Sequence, residues 1–286
     1  MAIVLDNITY TYGVGTPFEK TALHGVSLTV ENGEFLGIIG HTGSGKSTFV
    51  QHLNGLLHPT TGTVTVNGVD ISASTEEAKK MRHKVGMVFQ YPEHQLFEET
   101  IAEDIAFGPK NLGLSADEVD ERVREAMKFV GLDYDTYAER SPFHLSGGQM
   151  RRVAIAGVVA MDPDFLVLDE PSAGLDPFGR EEIFEEIIRL HKEKGITVIL
   201  VSHNMEDISR MASRLVVLDK GRIVLDGEPM DIFNNHRDEL QVVGVDVPPV
   251  SVTMEYLRDQ GLDVSNRVLS VDDAVQAILE GGSHVK

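Results

Sequence analysis

The segment Gly40-His41-Thr42-Gly43-Ser44-Gly45-Lys46-Ser47 carries the clearest chemistry in the chain. Gly40, Gly43 and Gly45 let the backbone turn tightly and point N–H groups at phosphate oxygens, and a helix starting near Lys46 adds its positive N-terminal end. Lys46 is placed to reach the β- and γ-phosphates of a nucleoside triphosphate, and Ser47 to ligate Mg²⁺ through its hydroxyl. Thr48 adds a second hydroxyl for the α-phosphate. Further along, Phe165-Leu166-Val167-Leu168 runs into Asp169 and Glu170. A carboxylate ending a buried strand can hold the Mg²⁺, which assigns Asp169. Glu170 follows directly and so points differently.

The intervening elements must position these groups. Residues 1 to 38 are strand-rich, with Thr9–Tyr12 and Val26–Val30 set between Gly- and Pro-containing turns. Phe35–Ile39 is a short apolar run leading into the glycine-rich loop, and Ser47–Leu57 reads as a helix stopped by Pro59 and Gly62. Thr63–Val66 alternates like an edge strand before the hairpin signal Asn67-Gly68. Val85–Gln90 is a buried strand. Residues 98 to 132 read mainly helical, broken near Gly108-Pro109 and Gly113, with Ser115 and Glu118 spaced as a capping box. Gln149–Met161 is a helix ended by Asp162-Pro163. Phe165–Leu168 and Thr197–Val201 are continuous apolar runs suited to parallel strands covered on both faces, with helical spacing over Arg180–Lys194 between them. That is a βαβ rhythm, so the core is α/β. After residue 235 the texture changes. Val247-Pro248-Pro249-Val250 reads as a linker, followed by short helices over Ser251–Gln260 and Ser270–Glu280.

Composition narrows the function. The net charge of −20 repels nucleic acid and anionic lipid. Cys is absent, which excludes disulfides and thiolate metal sites. The first residues lack the basic and apolar regions of a signal peptide. The apolar runs fall far short of the ~20 residues that span a bilayer, so the chain is expected not to cross one.

The glycine-rich loop, then Leu145-Ser146-Gly147-Gly148-Gln149, then the strand ending in Asp169-Glu170, resemble in type and order the ATP-binding-cassette (ABC) ATPases. The resemblance covers residues 1–235 and implies a P-loop NTPase core with a mostly parallel sheet. It adds an antiparallel β subdomain at the N-terminus, a helical signature subdomain over about 91–160, and a small helical C-terminal extension over 236–286. It also implies ATP and Mg²⁺ as ligands. On the matching positions, Glu170 polarises the attacking water and His203 contacts the γ-phosphate. Gln90 touches Mg²⁺ and water while sensing a membrane partner, and Ser172–Asp176 runs along a dimer interface. Tyr12 is the candidate for stacking on adenine, with Phe18 as rival. Ser146, Gly147, Gly148 and Gln149 complete the site of a second ATPase chain rather than their own.

The stretch Tyr91–Pro109, YPEHQLFEETIAEDIAFGP, is similar to the ATPases of energy-coupling factor (ECF) transporters and related cobalt and nickel importers. LSGGQMRRVAIA leans towards the second of their two paired ATPases. That branch implies a peripheral protein on the cytoplasmic face of the membrane. Its partners would be a related ATPase in a heterodimer, a transmembrane scaffold with Arg-bearing coupling helices, and, indirectly, a small membrane protein that captures a vitamin or metal ion. Glu93, Glu98, Glu99, Glu103 and Asp104, with no Lys or Arg among them, would receive those arginines. A conventional ABC importer or exporter shares every catalytic motif, and a soluble non-transport ABC ATPase is a more distant reading.

Overall fold

The structure, a computed structural model, describes residues 1–265 and 267–281. β1 (Ala2–Tyr12) and β2 (Lys20–Glu31) pair antiparallel, their buried side chains alternating with accessible ones. After β3 (Phe35–Ile39), β4 (Thr61–Val66) pairs with the other edge of β1 and turns through Asn67-Gly68 into the short β5 (Val69–Asp70). Both turn residues have positive φ (53° and 81°), which suits Asn-Gly. The result is a four-stranded antiparallel sheet in the order β2-β1-β4-β5.

The second sheet holds the site. β6 (Val85–Val88), β7 (Phe165–Asp169), β8 (Thr197–Val201) and β9 (Arg214–Asp219) join β3 as parallel strands, and β10 (Arg222–Gly227) closes the edge antiparallel to β9, in the order β10-β9-β3-β8-β7-β6. Every residue of β3, β6, β7 and β8 is buried. Alternate residues feed two cores. Leu166, Leu168, Val198 and Leu200 face one, with the helical layer. Phe165, Val167, Ile199 and Val201 face the other, with the antiparallel sheet and α1 (Lys46–Leu53).

α2 (Glu76–His83) leads into β6. The helical layer consists of α3 (Ile101–Asn111), α4 (Ala116–Phe129), the single turn α5 (Tyr134–Tyr137) and α6 (Gly147–Val159). Ile105, Val123, Met127 and Ile155 are among its core residues. α7 (Pro177–Lys194) connects β7 to β8, α8 (Met205–Met211) connects β8 to β9, and α9 (Pro229–Asn235) follows β10. The tail forms α10 (Arg237–Val242), α11 (Pro249–Asp259) and α12 (Val271–Gly281). Leu240 and Val245 pack into the main core, whereas Met254, Val264, Val268 and Ala274 form a separate cluster. Residues 266 and 282–286 of the expected extension lie outside the described residues.

Several boundaries differ from expectation. α1 stops at Leu53, capped by Asn54 and by Gly55 at φ +73°, before Pro59 is reached. α3 runs through Gly108-Pro109 instead of breaking there. Gly108 is a close-approach position, since a Cβ would stand 2.7 Å from Met161 Cγ on the neighbouring segment. β4 is not an edge, because β5 covers it. α10 is a helix that the reading of the tail missed.

Candidate functional site

The glycine-rich loop links β3 to α1 at the carboxyl end of the parallel sheet, where α/β folds place their ligands. Together with the ends of β6, β7 and β8 it encloses a cavity of about 1070 Å³. Gly40, His41, Thr42, Gly43, Gly45, Lys46, Ser47, Thr48, Tyr12, Gln90, Asp169, Glu170 and His203 all line it. Ser44 departs from that set. It is fully buried under the loop, and its hydroxyl has no hydrogen-bond partner among the described residues. Its contribution to the loop is through backbone: its N–H donates to His41 O (3.1 Å), and its carbonyl accepts from Gly221 N–H (2.8 Å).

Lys46 Nζ donates to Gly40 O (2.6 Å) and His41 O (3.1 Å), which arches the loop over its own lysine. The His41 ring bridges Thr42 O (2.7 Å) and Asp219 Oδ1 (2.9 Å), tying the loop to the end of β9. Tyr12 Oη lies 3.0 Å from Thr48 Oγ1, which sets the ring at the cavity mouth. Phe18 is 88% exposed and does not line the cavity.

Burial sets the electrostatics. It pushes the Asp169 carboxyl above the ordinary carboxylate range, opposed by the Ser47 hydroxyl and then Lys46. Glu170 is also raised by burial, with His203 pulling the other way; His203 Nδ1 sits 2.7 Å from Glu170 Oε2. Lys46 is lowered by burial, with Glu170 and Asp169 restraining the shift. Two carboxylates and one ammonium thus share a partly dehydrated space, where charge interactions are stronger than in water. Ser47 and Asp169 stand together as hard oxygen donors. Among the described residues no cluster of three His, Cys, Asp or Glu could form a protein cage for a metal. A hydroxyl and one carboxylate beside phosphate oxygens is the donor set that suits Mg²⁺.

Ser146 to Gln149 lie elsewhere. With Gly174, Leu175, Asp176 and Phe178 they line a second cavity of about 620 Å³ that shares no residue with the first. Ser146 caps α6 in a reciprocal box with Gln149: Gln149 N–H donates to Ser146 Oγ (3.3 Å), and Ser146 N–H donates to Gln149 Oε1 (3.1 Å). The signature glycines therefore occupy the first helical turn, two residues ahead of the expected helix start. Asp176 belongs to this face, not to the phosphate cavity, and caps α7 by accepting from Gly179 N–H (2.8 Å).

Sequence reasoning missed several contributors. Lys220 and Gly221, in the β9–β10 turn, line the phosphate cavity, as do Gly244, Val245 and Asp246 from the tail. Gly244 takes φ +69°, and its being glycine was the available sign of a turn there. Arg151, only 1% exposed, gave no signal beyond its position in α6. The acidic patch is also smaller than expected. Glu93 is engaged by Arg151, and Asp104 accepts from Phe97 N–H and Glu98 N–H. Glu99 and Glu103 stay exposed and Glu98 is half-buried.

A phosphate cavity on one face and a glycine-tipped helix on another is the layout of an ATP-binding cassette. The family described as ABC transporter matches residues 23–173. The Clostridium tetani energy-coupling factor transporter ATP-binding protein EcfA2 is 53% identical over 98% of this chain and 97% of its own length. Among solved structures, cbiO1 from Clostridium perfringens, part of the ABC transporter complex cbiONQ, is 36% identical with a TM-score of 0.73, covering 88% of this chain and 98% of its own. A dimeric ATP-binding cassette in a post-hydrolysis state bound to ADP and Pi is 32% identical with a TM-score of 0.70, covering 79% and 98%. The chain belongs to the ABC transporter ATPases, in the group of energy-coupling factor ATP-binding proteins. It binds and hydrolyses ATP, as that family does. Among the described residues no helix is long and apolar enough to cross a membrane.

Proposed function

We propose that this chain is one of two related ATPase subunits that power uptake of a vitamin or metal ion through an ECF transporter. It would sit peripherally on the cytoplasmic face of the cell membrane, under a transmembrane scaffold whose Arg-bearing coupling helices dock near Glu98, Glu99 and Glu103. The substrate-binding membrane protein is reached only through that scaffold. The pairing in this reading is carried by the separation of the two half-sites, and its transporter branch is supported by the 53% identity to the Clostridium tetani EcfA2. A γ-phosphate held by Lys46 lies in a cavity that none of Ser146 to Gln149 lines, so each nucleotide needs a second ATPase chain.

In the reaction, the loop N–H groups and Lys46 hold the β- and γ-phosphates. Ser47, Asp169 and Gln90 are the residues to hold Mg²⁺, which when bound neutralises phosphate charge. Glu170 orients a water in line with the γ-phosphorus and accepts its proton as the bond to the β-phosphate oxygen breaks. His203, hydrogen-bonded to Glu170, steadies that carboxylate and reaches the γ-phosphate. Tyr12 stacks on adenine. The catalysis is positioning plus electrostatics. Losing the γ-phosphate removes the contact to the partner's signature segment, and the dimer opens.

The test is co-purification of the chain from native membranes, with identification of its partners and an ATPase assay on the intact assembly. A second ATPase, one scaffold and several alternative small binding proteins are the expected result. A homodimer on a single large permease would move the reading to a conventional ABC transporter, and absence of any membrane protein would refute transport.

A further inference from the structure

One buried arginine ties the turn after Gln90 to the turn after Glu170. Arg151 lies on α6, five residues beyond Ser146, and is 1% exposed. A guanidinium so deeply buried needs its donors used. Nη1 donates to Pro171 O (2.9 Å) and Nη2 to Ala173 O (2.9 Å). Nε and Nη2 reach the Glu93 carboxylate at 3.1–3.3 Å. The planar fork matters here, because its donors are spread over three nitrogens, whereas all three donors of a lysine radiate from one atom.

Both turns are held in an unfavourable backbone conformation. Glu170 has φ +52° and Tyr91 φ +58°. Bulky L-residues keep such angles only where the surroundings over-determine them. Ala173 N–H closes the first turn onto Glu170 O (3.1 Å), and His94 N–H closes the second onto Tyr91 O (3.1 Å). Arg151 binds both from below: the carbonyls of Pro171 and Ala173 on one side, Glu93 on the other. The two segments also lie close together, since a Cβ on Gly174 would stand 3.7 Å from Tyr91 Cε1. The glutamate that activates water and the segment facing the membrane partner therefore share one anchor, carried on the helix that begins with the signature segment.

We infer that the Arg151–Glu93 pair is the positioning link through which engagement of the membrane protein at residues 91–99 sets Glu170 against the γ-phosphate. Arg151 touches neither nucleotide nor water in this role; it acts through the backbone of residues 171–173. The inference rests on the transport function proposed above.

Glu93→Gln tests it, because it keeps the side-chain shape and leaves both carbonyl anchors of Arg151 in place. The ATPase pair alone and the complete assembly in liposomes are compared for ATP hydrolysis, with nucleotide affinity read by a fluorescent ATP analogue. The variant is expected to keep Kd and KM within about twofold while stimulation of kcat by the membrane protein falls roughly tenfold, as for a typical intersite coupling. Glu93→Asp, which keeps the charge, is expected to recover part of the stimulation. Arg151→Lys should behave as Glu93→Gln or worse, and if it does not fold the Glu93 variants decide. Stimulation equal to wild type in Glu93→Gln overturns the inference. So does a parallel loss of basal rate, stimulated rate and Tm, which marks a merely structural pair. If the wild-type pair itself associates with no membrane protein, the proposed function fails and the inference falls with it. If the wild type is stimulated and the variants equally so, only the inference falls.

Discussion

The glycines of the phosphate loop and those of the signature segment differ in what surrounds them. A Cβ on Gly40 would stand 2.3 Å from Leu218 O, and one on Gly45 3.0 Å from Ala22 O, with φ at +153° and +106°. The chain's own backbone demands glycine there. At Gly147 and Gly148 a Cβ would meet nothing within 4 Å. Both lie in a helical turn, where glycine costs about 1 kcal/mol relative to alanine in a helix interior. Among the described residues nothing accounts for them; under the proposed function, the group they admit is a phosphate held by a second subunit. One set of glycines is folding chemistry, and the proposed function makes the other assembly chemistry.

The largest effect belongs to the phosphate side. Glu170→Gln should cut phosphate release by roughly 10²–10⁴-fold, the usual contribution of a general base, while equilibrium ATP binding stays near wild type. Turnover at the wild-type rate would remove Glu170 from the mechanism. The raised Glu170 also predicts that, for the wild type, kcat declines on acidification at a higher pH than an ordinary carboxylate would give, since the ionised form is required. Gly148→Ala probes the contrast itself. The isolated chain should keep its ATP affinity and melt at the wild-type temperature or slightly above it, while hydrolysis by the paired subunits drops about tenfold or more. A destabilised isolated chain would break the distinction between the two glycine sets. Tyr12→Ala should weaken nucleotide binding by about 1–3 kcal/mol, the range for base stacking on an aromatic ring, and Phe18→Ala should not; reversed results in titration calorimetry would exchange the two roles.

The smallest expected effect lies beneath the signature cavity. Burial pushes Glu186 up to about 7, against Arg152 and Arg189, and its Oε2 has no hydrogen-bond partner among the described residues. The folded chain holds this proton more tightly than the unfolded one. Its stability contribution is therefore full in acid and is lost as pH rises from about 4.5 to about 7. Glu186→Gln should raise Tm by a few degrees near pH 8 and by little near pH 5, as read by thermal melts.

Chemistry that is local in sequence was legible. The β-strands β3 and β8 fall at the expected residues, and the phosphate loop and the Asp169-Glu170 pair come together on one cavity, because each is a short contiguous pattern with one physical solution. The burial of the Ser44 side chain was not legible, because which side of a tight loop a side chain faces depends on what packs beneath it. Arg151 was invisible for a related reason: its partners Glu93 and Pro171 are 58 and 20 residues away, and a surface arginine on a helix has the same local signature. Gly108-Pro109 read as a break because glycine and proline usually are one. The close approach to Met161 that requires the glycine is a tertiary fact.

The position of β3 has a consequence during synthesis. It lies in the middle of the parallel sheet, with β8 on one side and β9 on the other, yet β8 begins at Thr197 and β3 ends at Ile39. At about 5–20 residues per second, the ribosome makes β8 roughly 8–32 s after β3. For that interval a fully apolar strand waits with both hydrogen-bonding edges open, so the nascent chain is most vulnerable to mispairing and to chaperone capture well before its nucleotide site can exist.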